Sequence, residues 1–220
     1  MKRQESLKIE HIMIYTKEHI QELDRVSRLK LINSVTGIKP GNLIGTVNSE
    51  GQTNLAVFSS VVHLGSNPPL LGFVSRPKGI EFGHTYRNIQ ENGVYTINHI
   101  HPEFIKNAHY TSAKFDENIS EFKRCNLSEE YIEDFKAPFL KESNFKIGMC
   151  FKEAIDIKLN GTILVIGEIQ HLIVPDAALA ANDVDLEATN SIGISGLNSY
   201  YSLKKIVDYP YARVNEVPQF

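Results

Sequence analysis

The sequence contains few of the residues that stabilise secreted or membrane proteins. Cysteine occurs only as Cys125 and Cys150 in 220 residues, which argues against both a disulfide scaffold and a cysteine-based zinc site. No apolar run reaches the roughly 18 residues that a membrane-spanning helix needs, and the start, MKRQESLKIEHIM, has no signal-peptide core. We therefore expect a cytoplasmic protein with no membrane partner.

Charge of one sign is not in excess either. The 23 lysines and arginines are balanced by 26 aspartates and glutamates, which gives a formal net charge of -3. A nucleic-acid-binding face would show clustered basic residues. The one such group, Arg25, Arg28 and Lys30, fits a solvated helix face. We therefore expect no nucleic-acid partner.

Two common catalytic signatures are missing. No G-x-G-x-x-G motif is present, so a nicotinamide nucleotide would have to bind without a Rossmann domain. No G-x-S-x-G elbow supports a Ser-His-Asp triad, which argues against a hydrolase. His99 and His101 have the spacing of a metal pair, but Asn98 and Pro102 around them are typical of a strand end at the surface, and we expect no metal site.

The sequence does have a series of β-like segments joined by turn residues. Two of them meet at SEGQ, where Gly51 can adopt a positive φ, and two longer ones meet at Asn160-Gly161, a strong hairpin signal. LLGFVS and GVYTINHI are further strands. The pattern predicts a mainly β protein, an antiparallel barrel with helices inserted between its strands.

Four segments are typical of helices. One helix is predicted over TKEHIQELDRVSRLKLINSVTG with Thr16 as its cap, and a second, TYRNIQEN, ends at Gly93. PEFIKNAHYTS is the third. SEEYIEDF is the fourth, with Ser128 as its cap.

The stretch NLAVFSSVVHLGSNPPLLGF places small polar residues inside an otherwise apolar hairpin. Ser59 and Ser60 are adjacent, so their side chains point to opposite faces of the strand. A buried hydroxyl needs a partner, and nearby backbone and a ligand are both open alternatives. The GSNPP loop adds Ser66, Asn67 and free amides. This set suits a planar, hydrogen-bonding ligand.

The following stretch, SRPKGIEFGHTYRNI, has features of an anion site. Ser75 and Arg76 stand at a strand end, and Thr85 stands at the predicted start of a helix, where unpaired amides and the helix dipole favour anions. Arg76 and His84 can add positive charge, and arginine can hold a phosphate with two hydrogen bonds. The alternative is an ordinary helix cap and a surface arginine.

The order of these motifs resembles the flavin reductase-like family, whose members have an FMN-binding split barrel. The family's N-x-A-x-x-S strand corresponds to Asn54, Ala56 and Ser59, and its Pro-Pro loop corresponds to GSNPP. Its helix with Asn-Ile corresponds to Asn88-Ile89. The later segments that match are GVYTIN, SAKFDENISEF, GTILVIGEIQHL and SGLNSYYSL.

Two positions depart from the family pattern. Val57 stands where many members have proline, and Gly83-His84 stand where many have Lys-Asp. The charge of His84 at neutral pH depends on its surroundings. Lys114 is either a further anion contact or a surface lysine, so the dominant positive group stays open.

The resemblance implies FMN bound in a groove at a homodimer interface. NADH or NADPH would be the reductant that transfers hydride to the flavin, and a partner monooxygenase is one candidate acceptor. The chain divides into an N-terminal extension and helix (1–36), a split-barrel domain (37–209) and an extended C-terminal tail (210–220). The cofactor-binding residues, from the resemblance and from the motifs above, are Asn54, Ala56, Ser59, Ser60, Ser66, Asn67, Ser75, Arg76, His84, Thr85, Asn88 and Lys114.

Two other functions remain open. The same barrel could bind FMN as an electron-transfer or flavin-storage protein without NAD(P)H turnover, and bleaching of the flavin by NADH or NADPH would separate that function from a reductase. The chain could also be a ligand-free scaffold or interaction protein whose polar strand residues are satisfied core groups. A colourless protein that ignores added FMN would favour this last interpretation.

Overall fold

Strands dominate the structure, a computed structural model that describes residues 12–78, 81–180 and 183–219. Parts of three predicted segments lie outside the described residues: 1–11 of the extension, 79–80 of the anion segment and Phe220 of the tail. The strands are β1 (Lys39–Pro40), β2 (Asn42–Val47), β3 (Thr53–Phe58), β4 (Val62–Ser66), β5 (Pro69–Ser75), β6 (Pro77–Lys78), β7 (Glu81–Phe82), β8 (Val94–His99), β9 (Glu129–Glu130), β10 (Phe139–Leu140), β11 (Lys146–Ile157), β12 (Thr162–Ile173), β13 (Leu179–Ala180), β14 (Asp183–Val184), β15 (Ile192–Ser195) and β16 (Ser199–Ser202).

A seven-stranded antiparallel sheet forms the centre, in the order β3-β2-β8-β11-β12-β5-β4. The prediction of a mainly β, antiparallel protein is confirmed. The sheet does not close into a complete barrel within the described residues, since no hydrogen-bonded ladder joins the edge strands β3 and β4 there. The two edges are instead consecutive in the chain, linked through a corner at Ser59–Val61.

At this corner the chain leaves the pairing with β2 and begins to pair with β5. Phe58 still pairs with Asn42 of β2, whereas Val62 pairs with Gly72 of β5. Between them, the Ser60 hydroxyl accepts a hydrogen bond from the Val74 amide at 3.1 Å and donates one to the Val74 carbonyl at 3.3 Å. One side chain therefore replaces a ladder step at this corner.

The sheet separates two hydrophobic clusters, because neighbouring residues of β2 point to opposite faces. Leu43 packs with Phe104, Ala108 and Ile194 on one face. Ile44 packs on the other face with a cluster that includes Ile89. Elements on both faces thus meet near the end of β3, where the candidate site lies.

The predicted N-terminal helix is two helices. Thr16 caps the first as predicted, but the helix breaks at Leu23 because the Asp24 carboxylate accepts hydrogen bonds from the Val26 and Ser27 amides and starts a new helix. The helices are α1 (Lys17–Glu22), α2 (Arg25–Ser34), α3 (His84–Asn92), α4 (Ile105–Tyr110) and α5 (Glu121–Arg124), with short 3-10 turns at Pro102–Phe104, Asp176–Ala178 and Val214–Glu216.

The helix predicted at SEEYIEDF is wrong. Glu129 and Glu130 form β9, which pairs with Leu140 and Phe139 of β10. The Ser128 amide donates to the Glu142 carboxylate at 3.0 Å, and its side chain does not cap a helix. Pairing with a distant segment supplies the backbone hydrogen bonds that a local helix would otherwise provide.

The predicted turns agree with the structure. Gly51, between β2 and β3, has φ +83°, and Gly161, between β11 and β12, has φ +70°. Helix α3 ends at Gly93, which has φ +69° and whose amide bonds the Ile89 carbonyl. Glycine adopts this left-handed conformation without a steric penalty.

A second, three-stranded sheet has the order β1-β15-β16 and joins the segment after α2 to the last strands. The described residues after β16 contain one 3-10 turn, at Val214–Glu216, and Ile206 and Tyr211 there are 95% and 86% exposed. None of the helices in the described ranges is both long and apolar enough to cross a membrane.

Candidate functional site

A cavity of about 640 Å³ lies where β3 and β5 end and α3 begins. The turn at 111–114 and the β15–β16 turn complete its wall. The structure brings together here nine of the twelve residues predicted to bind the cofactor: Asn54, Ala56, Ser59, Ser60, Ser75, Arg76, His84, Thr85 and Lys114.

The two corner serines have different surroundings. The single hydroxyl of Ser60 is hydrogen-bonded to both the amide and the carbonyl of Val74, so nearby backbone satisfies this residue. The hydroxyl of Ser59 lines the cavity and makes no hydrogen bond to any described residue. The sequence left two alternatives open, a backbone partner and a ligand. Ser60 has the backbone partner, and the Ser59 hydroxyl is available to a ligand.

Asn54 and Thr85 form a buried polar pair in the lining of the cavity. The Asn54 side-chain amide donates to the Thr85 hydroxyl at 3.1 Å, and both side chains are less than a tenth exposed. A hydroxyl that accepts a hydrogen bond keeps its own proton to donate. Thr85 can therefore be oriented by Asn54 and still donate into the cavity.

Helix α3 begins at the cavity wall. Its first residue is His84, one position before the predicted start, and the preceding Gly83 makes no side-chain cap. Gly83, His84 and Thr85 all line the cavity. The positive end of the helix dipole therefore lies at the cavity.

The cavity is lined by three basic residues and one buried acid. Arg76, Lys114 and His84 contribute the basic groups, and Arg76 Nη2 donates to Asn33 Oδ1 at 3.1 Å. Glu121 is the acidic group among the described lining residues. Its carboxylate accepts the Leu55 amide at 3.0 Å, which fastens α5 to strand β3.

Three predicted residues lie elsewhere. Ser66 and Asn67 are at the turn between β4 and β5, where Ser66 pairs with Pro69. Pro69 and Ser75 are six positions apart on the strand, which corresponds to roughly 20 Å. This turn is therefore at the opposite end of the hairpin from the cavity. Asn88 is buried behind the wall and donates to the Thr46 hydroxyl at 3.1 Å. Flavin contact by these three residues stays a prediction.

Sequence reasoning missed several lining residues. Asn33 gave no signal, because it belongs to a helix remote in sequence from the strand motifs, and Glu121 was noted only as part of the family segment SAKFDENISEF. The β15–β16 turn was noted only as a family segment. The missed residues are Asn33, Val57, Phe58, Val74, Gly83, Thr111, Ser112, Ala113, Glu121, Ile194, Gly196, Leu197 and Asn198.

The histidine pair His99 and His101 is packed inside the fold rather than at the surface. His99 stacks on Phe145 at 4.0 Å and bonds the Ser191 hydroxyl at 2.9 Å. His101 Nε2 accepts the Asn144 amide at 3.2 Å. Burial lowers the pKa of His99 to about 4, and His101 adds to this effect.

Comparison with known proteins identifies the family. The sequence profile of the flavin reductase like domain matches residues 37–186. A candidate flavin reductase with split barrel domain from Shewanella frigidimarina NCIMB 400 is 45% identical, with a TM-score of 0.87 over 91% of this chain and 100% of that chain.

Two more distant crystal structures share the fold. Nitrilotriacetate monooxygenase component B from Bacillus cereus is 21% identical over 90% of this chain and 100% of that chain, with a TM-score of 0.80. Flavoredoxin of Desulfovibrio vulgaris (Miyazaki F) is 22% identical over 80% of this chain and 92% of that chain, with a TM-score of 0.69. The resemblance drawn from the motifs is confirmed, and this chain belongs to the flavin reductase like family.

Proposed function

We propose that the chain binds FMN in this cavity and acts as an NAD(P)H-dependent flavin reductase, which transfers hydride from nicotinamide to FMN. One observation carries the proposal: a single cavity is lined both by the Ser59 end of strand β3 and by the start of helix α3, together with Arg76 and Lys114. These two parts match the planar ring and the phosphate of FMN. The volume of about 640 Å³ lies within the 300–1,000 Å³ typical of small-molecule sites.

The donor set fits a phosphate group. Arg76, Thr85 and His84, the first residue of α3, all line the cavity. Helix starts bind phosphate through their first amides, and arginine adds charge-assisted hydrogen bonds. The Glu121 carboxylate would repel a phosphate, but the Leu55 amide already stabilises one of its oxygens.

The chain's own residues bind and orient the ligand. Ser59 is free to bond a polar edge of the ring, and Ser60 holds the corner that carries Ser59. When bound, the flavin supplies the hydride-accepting chemistry. That step requires no proton transfer by the protein, so we assign binding residues and no catalytic acid or base. The nicotinamide would enter the open groove directly.

We further propose a homodimer that passes reduced flavin to a partner monooxygenase. The terminal segments carry exposed apolar side chains that a second copy would cover, among them Ile14, Ile206 and Tyr211, which are 78%, 95% and 86% exposed. The likeness to a component B of a monooxygenase supports an oxygenase as acceptor.

A second candidate function is an FMN-binding electron carrier without NAD(P)H turnover. The likeness to a flavoredoxin favours it. Both functions need the same FMN site, and they differ only in whether a nicotinamide nucleotide reduces the flavin.

The visible spectrum of the pure protein, after addition of FMN and desalting, tests the site. Retained flavin absorption supports the proposal, and anaerobic bleaching by NADH or NADPH would then distinguish the reductase from the carrier. A protein that retains no flavin and leaves flavin fluorescence unchanged on titration contradicts both. Mass spectrometry under native conditions tests the dimer.

A further inference from the structure

Asn33, near the end of helix α2, reaches the cavity from outside the family domain. It lines the cavity, and its Oδ1 accepts a hydrogen bond from Arg76 Nη2 at 3.1 Å. The family profile matches residues 37–186, so α2 precedes it. An element that the matched family domain does not include therefore contacts a cationic side chain of the site.

The orientation of the Asn33 side chain is determined by its second hydrogen bond. Asn33 Nδ2 donates to the Leu29 carbonyl at 2.7 Å, so the amide nitrogen is occupied within the helix. The oxygen is left to face Arg76. An asparagine held in this way presents an acceptor at a defined place, which selects one position for the guanidinium.

The end of α2 is itself anchored to the cavity wall. Lys39 Nζ donates to the Asn33 carbonyl at 2.7 Å, and Lys39 pairs with Ile194 of β15. Ile38 packs so closely over Gly193 that a Cβ there would lie 2.2 Å from Ile38 Cγ2. These contacts fix Asn33 relative to the β15–β16 side of the cavity, although α2 has no buried residue.

We infer that Asn33 is a positioning residue that holds Arg76 ready for the phosphate of FMN and so sets the preference for FMN over riboflavin, which lacks that phosphate. This inference rests on the proposed function. Arg76 is exposed, and an unheld arginine samples many rotamers that binding would have to restrict. Its guanidinium has five N–H donors. One is used at Asn33, and the others suffice for a two-bond grip on phosphate.

Charge at the site is compatible with this role. Asn33 is neutral, so it orients the arginine without cancelling its charge, as a carboxylate would. Lys114 and His84 lie on the same cavity, as does the Glu121 carboxylate. Replacing Asn33 by alanine leaves all of these charges in place and removes two hydrogen bonds, the one to the Leu29 carbonyl within the helix and the one that holds Arg76.

Equilibrium binding of FMN and of riboflavin, followed by flavin fluorescence, tests the inference in wild type, Asn33→Ala, Arg76→Ala and the double variant. Asn33→Ala should weaken FMN binding roughly threefold to tenfold and leave riboflavin binding within about twofold. Added to Arg76→Ala it should have no further effect, because the two residues act through one interaction. Ser34→Ala is the matched control, since it removes a hydroxyl bonded to the Leu31 carbonyl at 2.8 Å without touching Arg76.

The outcomes separate this inference from the proposed function. If Arg76→Ala lowers the ratio of FMN to riboflavin affinity but Asn33→Ala does not, the positioning role is wrong and the FMN site stands. If Asn33→Ala weakens both flavins equally, or weakens FMN equally in the Arg76→Ala background, its role is structural and the inference is again wrong. If wild type binds neither flavin, the proposed function and this inference are wrong together.

Discussion

The Asn54 side-chain amide donates a 3.1 Å hydrogen bond to the Thr85 hydroxyl. This contact joins strand β3 to the first turn of helix α3, the two elements that supply the ring side and the phosphate side of the proposed FMN site. Asn54 Nδ2 also approaches the Thr46 hydroxyl at 3.4 Å, and Asn88 bonds the same hydroxyl at 3.1 Å. Side chains from β2, β3 and α3 thus form one buried polar network.

We expect this network to show energetic coupling. Asn54→Ala should lower the free energy of unfolding by about 1–3 kcal/mol, because it leaves buried groups without partners. A double-mutant cycle with Thr85→Ala should give a coupling energy of about 1 kcal/mol. Urea unfolding measures both. A second cycle, of Asn48→Ala with Thr85→Ala, is the control and should be additive, because the hydrogen bonds of the Asn48 side chain lie within the β2–β3 turn. Strict additivity in the first cycle would mean that the contact does not form.

The two corner serines should respond differently to the same substitution. Ser60→Ala should lower the free energy of unfolding by about 1–2 kcal/mol, since the Val74 amide and carbonyl lose their partner. Ser59→Ala should stay within about 0.5 kcal/mol of wild type but weaken FMN binding roughly fivefold. Urea unfolding and flavin titration on the same samples give the comparison. The reverse pattern would assign the ligand contact to Ser60.

Arg76 should contribute mainly through the phosphate. Arg76→Ala should weaken FMN binding by about 10-fold to 100-fold, the range expected for a charge-assisted hydrogen bond, and should reduce the salt dependence of binding. Arg124→Ala, which removes an arginine outside this cavity, is the control. Equal losses for FMN and riboflavin would show that Arg76 does not contact a phosphate.

Acid should destabilise the fold through His99. Its pKa is about 4 in the folded chain and about 6.5 in an unfolded one, so between these values the unfolded state binds a proton that the folded state does not. The free energy of unfolding should therefore fall as pH drops from about 6.5 to 4, by about 3 kcal/mol in total.

Unfolding midpoints measured across this range test the assignment to His99. His99→Gln should flatten the acid slope, whereas His63→Gln, on the exposed strand β4, should leave it unchanged. An unchanged slope in His99→Gln would assign the effect to other groups.

Local signals predicted the hairpins correctly, and they selected motif residues that line one cavity. Gly51, Gly93 and Asn160-Gly161 carry their conformational preference in their own covalent structure. The motif residues of β3 and of the start of α3 were found because each motif occupies one short stretch. These signals depend only on the residues of one short segment. For these elements, the folded chain has the conformation that the segment favours.

Other elements depended on contacts distant in sequence. Glu129 and Glu130 join a strand only because Phe139 and Leu140 lie beside them. Ser66 and Asn67 are close in sequence to the site residues. In the antiparallel hairpin, however, they lie at the turn, whereas the cavity lies at the opposite, open end. Asn33 and Glu121 approach the cavity from remote helices, and no spacing rule connects them to the strand motifs.

The edges of the family domain do not coincide with the edges of the cavity. Residues 37–186 carry the family match, yet Asn33 lies before them and the Ile194–Asn198 region lies after them. Strand β1 pairs with β15, so these two flanking pieces of chain are neighbours in space. Relatives that share the common domain can therefore differ at this one side of the cavity, and differences in ligand selection within the family would be found there first.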